Sequence, residues 1–163
     1  MTKRLGIDIS LATQTLTLVK NNKPETRYDV STALRGAGEA SGSFGTPRGQ
    51  HIIRAKIGAD CPIYTVFVGR RPTGEIYSPD LALAHPERDW ILTRILWLSG
   101  SELGKNRLGK VDTMRRYIYI HGAPDEFPVG IPQSHGCVRM RNHDILDLFE
   151  RVCVGTPVYI HES

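Results

Sequence analysis

The chain has 163 residues, 40% of them hydrophobic and 23% charged, with a net charge of +4. That length suits a single domain, residues 1–163, with a core of its own. The basic balance favours an acidic partner, while the lack of a basic helix or an aromatic stacking motif argues against nucleic acid. No apolar run reaches the roughly 18–20 residues of a membrane helix, so no membrane partner is expected.

The amino terminus, "MTKRLGIDISLATQTLTLV", begins basic, but Asp8, Gln14 and alternating threonines interrupt any signal-peptide core. It predicts strands and a cytoplasmic location, or the periplasm if the natural protein begins earlier. "TLTLV" alternates polar and apolar, "KNNKP" supplies a turn, and "TRYDVST" returns as the second arm of a hairpin. Residues 36–49, "GAGEASGSFGTPRG", form a loop whose glycine spacing does not suit phosphate binding. "QHIIRAKIG" and "YTVFVG" are strands rich in β-branched residues. Residues 70–90 carry prolines at 72, 79 and 86 and read as an irregular insertion over one face. "ILTRILWL" is a strand or buried segment, residues 99–116 are polar loop, and "YIYIHG" is a short strand ending on His121. One helix is clear near the carboxyl terminus. Asn142 is its expected N-cap, Asp144 lies in the first turn, and Ile145, Leu148, Phe149 and Val152 recur at helical spacing. Gly155 ends it and "TPVYI" is the last strand. The fold class is mainly β with this one clear helix.

Three cysteines do not make a disulfide framework. Cys153 falls in the apolar helical stretch and is expected in the core, and Cys61, beside Pro62, is expected to pack as well. Cys137 differs, because it follows Gly136 in a loop and precedes polar and basic positions. A free thiol at its ordinary pKa is only a few per cent thiolate at neutral pH, so nucleophilic use needs a base or a stabilising cation. Lowering that pKa by two units takes roughly 2.7 kcal/mol, within reach of a nearby imidazolium and backbone N–H groups. His121 closes a strand sixteen positions earlier, and the loop with Pro124, Pro128, Gly130 and Pro132 allows the two side chains to meet. Successive N–H groups around Gly136 can converge on an oxyanion. A metal site built from His121, His135, Cys137 and His143 is the competing reading, but the two-residue gap between His135 and Cys137 is unusual for a ligand pair. Neither metal nor cofactor is expected.

The segment "IHG…SHGCVRMRNHDILDLFERVCVGTPVYI" closely resembles the YkuD-type L,D-transpeptidase catalytic domain, and "IDISLATQTLTLVKNNK", "VSTA" and "GTPRG" are similar to other family segments in the right order. The resemblance implies a β-sandwich-like catalytic domain. It implies Cys137 as nucleophile, His121 as general base and Gly122 as the residue whose carbonyl orients that histidine. It further implies an oxyanion hole from the backbone of His135, Gly136 and Cys137, with Ser134 and Arg139 shaping the site. Arg139 is a candidate anchor for a substrate carboxylate or else an internal brace of the loop, and Arg141 reads as a surface charge.

The implied reaction is attack on the diaminopimelate–D-alanine amide of a peptidoglycan stem tetrapeptide, or a muropeptide carrying one, through a thioester on cysteine. With a cytoplasmic location, water is the expected acceptor, giving an L,D-carboxypeptidase of wall recycling. The alternatives are an L,D-transpeptidase that forms 3→3 cross-links or exchanges D-amino acids, and an inactive module that binds stem peptides. Residues 70–90 are a candidate lid or specificity wall.

Overall fold

The computed structural model describes residues 4–163, so the basic start at residues 1–3 lies outside the described residues. Strand β1 (Leu5–Ser10) pairs antiparallel with β2 (Thr15–Lys20), and β2 pairs with β3 (Lys23–Ser31). Asn21 and Asn22 join the latter pair with φ of 52° and 65°, the left-handed conformation of a tight hairpin turn that asparagine tolerates.

From β1 the sheet continues in parallel to β10 (Pro157–His161) and then to β4 (Gly49–Ile57). From β3 it continues through β9 (Val138–Met140) and β8 (Tyr119–Gly122) to β7 (Ile91–Gly100). Because β4 also pairs with β7, the sheet closes on itself as a barrel-like sandwich. The hairpin of β5 (Thr65–Val68) and β6 (Arg71–Ile76) extends from the first residues of β7.

Period-2 alternation sorts side chains to opposite faces of each strand. Ile7 and Ile9, Leu16 and Leu18, Ile120, and Val138 and Met140 point to one core. Helix α2 (Asn142–Arg151) closes that core with Ile145, Leu148 and Phe149, as its spacing predicts. The opposite face of β8 and β9 is therefore left for Tyr119, His121 and Arg139. This division positions the functional site.

Several expectations need correction. Residues 70–90 are not irregular: they hold β6 and a short helix, α1 (Pro79–Ala84). Pro72 is tolerated because β6 is the edge strand of the sheet, where a missing N–H leaves no partner unpaired. Pro79 opens α1, where its fixed φ suits the first turn, and the Ser78 hydroxyl accepts a hydrogen bond from the Leu81 N–H. The strand predicted around "ILTRILWL" runs on to Gly100, and the loop after it contains a 3-10 turn at Gly109–Val111.

Asn142 is not the N-cap of α2. Arg141 takes that place, and Asn142 is the first helical residue, fully buried. Its side-chain amide donates to the Ala123 carbonyl at 2.7 Å and to Asp125 at 2.9 Å, and its oxygen accepts from the Thr93 hydroxyl. Asn142→Ala should lower stability by about 2–3 kcal/mol, because it leaves buried partners unsatisfied. A fall in Tm of several degrees in thermal denaturation is the expected reading.

Cys153 is not in the core. Helix α2 stops at Arg151 and Cys153 lies exposed beyond it. Cys153→Ala should accordingly leave Tm unchanged. Cys61 is half-buried against the cluster of Phe67, Ile95 and Tyr119.

Candidate active site

Strands β8 and β9 run parallel, with Ile120 beside Val138 and His121 beside Arg139. That register decides the site. Ile120 and Val138 face the core, so their neighbours His121 and Arg139 face the other side together. Cys137, one residue before β9, comes level with Tyr119 and accepts a hydrogen bond at Sγ from the Tyr119 N–H at 3.3 Å. A cavity of about 150 Å3 is lined by Cys137, His121, Arg139, Ser134 and His135, together with Asp89, Arg116, Tyr117 and Ile118. The loop between the two strands thus folds back and brings His121 and Cys137 to one space.

His121 is buried, and its Nδ1 lies 2.7 Å from the Gly122 carbonyl. An N–H on Nδ1 satisfies that carbonyl, which leaves Nε2 as the basic nitrogen of the neutral ring. Burial pulls the His121 pKa below its ordinary value, against the effect of the Gly122 carbonyl, which favours the charged form. Gly122 admits no side chain, since a Cβ there would sit 2.7 Å from the Leu92 carbonyl and 2.6 Å from Asn142.

Cys137 is half-buried, and burial of its thiol pushes the pKa up to about 12, against the Tyr119 N–H and the Arg139 and Arg116 guanidiniums. Burial thus opposes charge on both members of the pair, so forming the thiolate calls for a base to take the proton. The Sγ also donates to the Tyr117 carbonyl at 3.4 Å.

The turn before Cys137 is held from several sides. The Ser134 hydroxyl donates to the Cys137 carbonyl at 2.6 Å and accepts from the Gly136 N–H at 3.2 Å. Thr46 is fully buried and its hydroxyl donates to the Gly136 carbonyl at 2.9 Å. Gly136 has φ of 134°, and a Cβ there would press on Ile118 and the Gly45 carbonyl, so glycine is required. The Gly136 N–H is engaged by Ser134, whereas the backbone N–H groups of His135 and Cys137, both residues of the cavity lining, have no partner among the described residues. His135 itself is exposed, edge-on to Phe44 at 6.4 Å between ring centroids.

Arg139 is mostly buried, over the Phe127 ring at 5.3 Å, with Asp89 at 3.6 Å and the Gln133 carbonyl at 3.4 Å. Arg141 is exposed, 3.9 Å from Asp29. Among the described residues, no three His, Cys, Asp or Glu side chains gather as a metal site would require.

Sequence reasoning missed Asp89, Arg116 and Thr46. Arg116 is half-buried and donates to the carbonyls of Gly38 and Gly45 at 2.9 and 2.7 Å, fastening the glycine-rich loop beside the thiol. Its signal was the "RR" directly before the His121 strand, although nothing in that pair distinguishes a brace from a surface charge.

The model of the YkuD family, the L,D-transpeptidase catalytic domain, matches residues 4–160. The chain belongs to this L,D-transpeptidase family. It is 30% identical over 155 residues to the Bacillus subtilis (strain 168) protein YqjB, an L,D-transpeptidase by name, covering 95% of this chain and 70% of that protein. With YbiS of Escherichia coli (strain K12), also an L,D-transpeptidase by name, it shares 56% identity over 43 residues, which are 26% of this chain and 14% of that protein. Among solved structures, L,D-transpeptidase 3 of Mycobacterium tuberculosis superposes with a TM-score of 0.61 at 17% identity, covering 98% of this chain and 62% of that one. An L,D-transpeptidase from Mycobacterium smegmatis gives 0.58 at 20% identity, covering 98% and 59%. These two likenesses establish the L,D-transpeptidase fold, and this chain spans about three-fifths of each.

Proposed function

We propose that this L,D-transpeptidase-family protein cleaves the diaminopimelate–D-alanine bond of peptidoglycan stem tetrapeptides through a thioester on Cys137. The observation that carries this reading is the shared cavity of His121 and Cys137, with Nδ1 of His121 fixed on the Gly122 carbonyl. His121 Nε2 takes the thiol proton as Sγ attacks the amide carbonyl, forming the C–S bond and an oxyanion. The Cys137 and His135 N–H groups are the donors for that oxyanion. Collapse breaks the C–N bond, and the imidazolium returns its proton to the departing D-alanine amine. Arg139 holds the terminal carboxylate, with Phe127 and Asp89 keeping the guanidinium in place.

The thioester then passes to an acceptor activated by the same histidine. Hydrolysis in the cytoplasm, giving an L,D-carboxypeptidase, is the outcome we propose. Transfer to an amine is the alternative fate of the same intermediate.

The deciding experiment incubates the protein with a diaminopimelate-containing tetrapeptide and resolves the products by mass. Tripeptide plus free D-alanine is the expected result. A cross-linked or D-amino-acid-exchanged product would replace the carboxypeptidase by a transpeptidase. Binding with no turnover would leave a stem-peptide-binding module. Immunodetection in fractionated cells tests the location, and signal confined to the periplasm would overturn it.

A further inference from the structure

A second, larger cavity of about 530 Å3 lies on the outer face of β4 and β7. Its size falls within the range of small-ligand sites. Trp97 and Ser99 reach it because they alternate with Leu96 and Leu98, which face the core. Arg54, Arg70, Arg107 and Arg115 all line it, and none of the four makes an ion pair among the described residues. The single carboxylate in the lining, Asp112, accepts from the Leu108 N–H at 2.5 Å and the Arg115 N–H at 2.9 Å, stays ionised beside Arg115 and Arg107, and offsets only one of the four positive charges.

Four guanidiniums gathered around one carboxylate leave the lining with an excess of positive charge, which raises the local concentration of anions. Arg70 is pre-positioned for recognition. It lies over the rings of Trp97 and Tyr117 at 4.8 and 4.9 Å and donates to the Tyr119 hydroxyl at 3.1 Å. Stacking of this kind holds the planar fork while leaving N–H donors free.

The groove is not remote from the thiol. Tyr117 lines both cavities, and its carbonyl accepts from Cys137 Sγ. We infer that this arginine groove is a subsite for the carboxylate-bearing part of the peptide whose scissile amide lies at Cys137. The inference rests on the function proposed above and extends it. The thiol cavity is too small for more than the reacting end of a tetrapeptide, and the adjoining groove supplies the length and the charge for the rest. An amide or an ammonium gains nothing from four guanidiniums, whereas each carboxylate forms paired charge-assisted hydrogen bonds there.

The test measures binding of the tetrapeptide and its fully amidated counterpart to Cys137→Ala, with and without Arg54→Gln/Arg107→Gln. Both arginines are exposed, so the pair of changes should leave Tm unaltered. Affinity for the free-acid peptide should fall about 10- to 100-fold at low salt, with a weaker salt dependence. The amidated peptide should bind both proteins alike. In the Cys137 background, the arginine variants should raise KM and spare kcat. Wild-type cleavage of the tetrapeptide with no change in affinity or KM on arginine replacement would overturn the subsite alone. A wild type that neither binds nor cleaves the peptide would overturn the functional reading and the subsite with it. Displacement of the peptide by pyrophosphate, at concentrations where succinate has no effect, would reassign the groove to a phosphate ester and overturn the carboxylate assignment.

Discussion

Cys137→Ala should abolish turnover of the tetrapeptide and leave the protein folded. The covalent step needs a sulfur at one place, and no other thiol can substitute. Cys61 and Cys137 both pack against the Phe67 cluster and Cys153 is exposed beyond the end of α2, but the thiol cavity shared with His121 is lined by Cys137 alone among the cysteines. Loss of a nucleophile from a positioned pair costs several orders of magnitude in kcat, on the order of 10^4 or more.

The fold should tolerate the change because the turn is held by other groups. Ser134 binds the Cys137 carbonyl and Thr46 binds the Gly136 carbonyl, and neither bond involves the thiol. The lost contacts are two weak sulfur hydrogen bonds, to the Tyr119 N–H and the Tyr117 carbonyl, and the packing of one sulfur atom against the Phe67, Ile95 and Tyr119 cluster. Circular dichroism should therefore be unchanged and Tm should move by only a degree or two. Retention of even a tenth of wild-type activity in Cys137→Ala would remove the cysteine from the mechanism.

The parts of this arrangement that a reader of the sequence can recover are those with local signals. The β2–β3 hairpin announces itself by alternation and by two asparagines able to turn. Helix α2 is visible in the spacing of Ile145, Leu148 and Phe149, and His121 is visible at the end of an apolar strand. The parts that escape depend on what lies across the fold. Asn142 looks like a cap because asparagine before an apolar run usually is one, yet the partners that bury it are Thr93, Ala123 and Asp125, all far from it in sequence. Cys153 sits at an apolar spacing, but the chain leaves the helix two residues too early for that spacing to hold.

Proline misled the reading of residues 70–90 for a related reason. Pro72 and Pro79 mark breaks only if the strand is central or the helix already under way, and the edge position of β6 and the first turn of α1 are the two places where neither applies. The consequence reaches the site, since Asp89, at the end of this stretch, lines the thiol cavity and meets Arg139. The suggestion of a specificity wall thus gains a specific residue to examine.

His121→Gln should lower kcat by roughly 10^2- to 10^4-fold and, more tellingly, change how the rate depends on pH. In the wild type, the thiol is held protonated by burial, with its pKa pushed up to about 12, and the histidine is held neutral by its own burial. Activity requires neutral His121 as base. Because burial holds its pKa below that of an ordinary histidine, the protonated form that cannot act as a base accumulates at lower pH than it would for an exposed imidazole. The wild-type profile should therefore be flat across the neutral range and fall on the acid side, at lower pH than an ordinary histidine would dictate. Glutamine can still donate to the Gly122 carbonyl in place of Nδ1, but it cannot accept a proton. The variant must then rely on the small fraction of thiolate that solvent produces, which grows about tenfold per pH unit up to the thiol pKa. Its log rate should rise with slope near one across the neutral range, and so should its rate of alkylation by iodoacetamide. A wild-type profile with the same slope would mean that solvent, not His121, removes the proton. A variant whose profile stays flat while only its amplitude falls would assign His121 to positioning the thiol rather than to taking its proton.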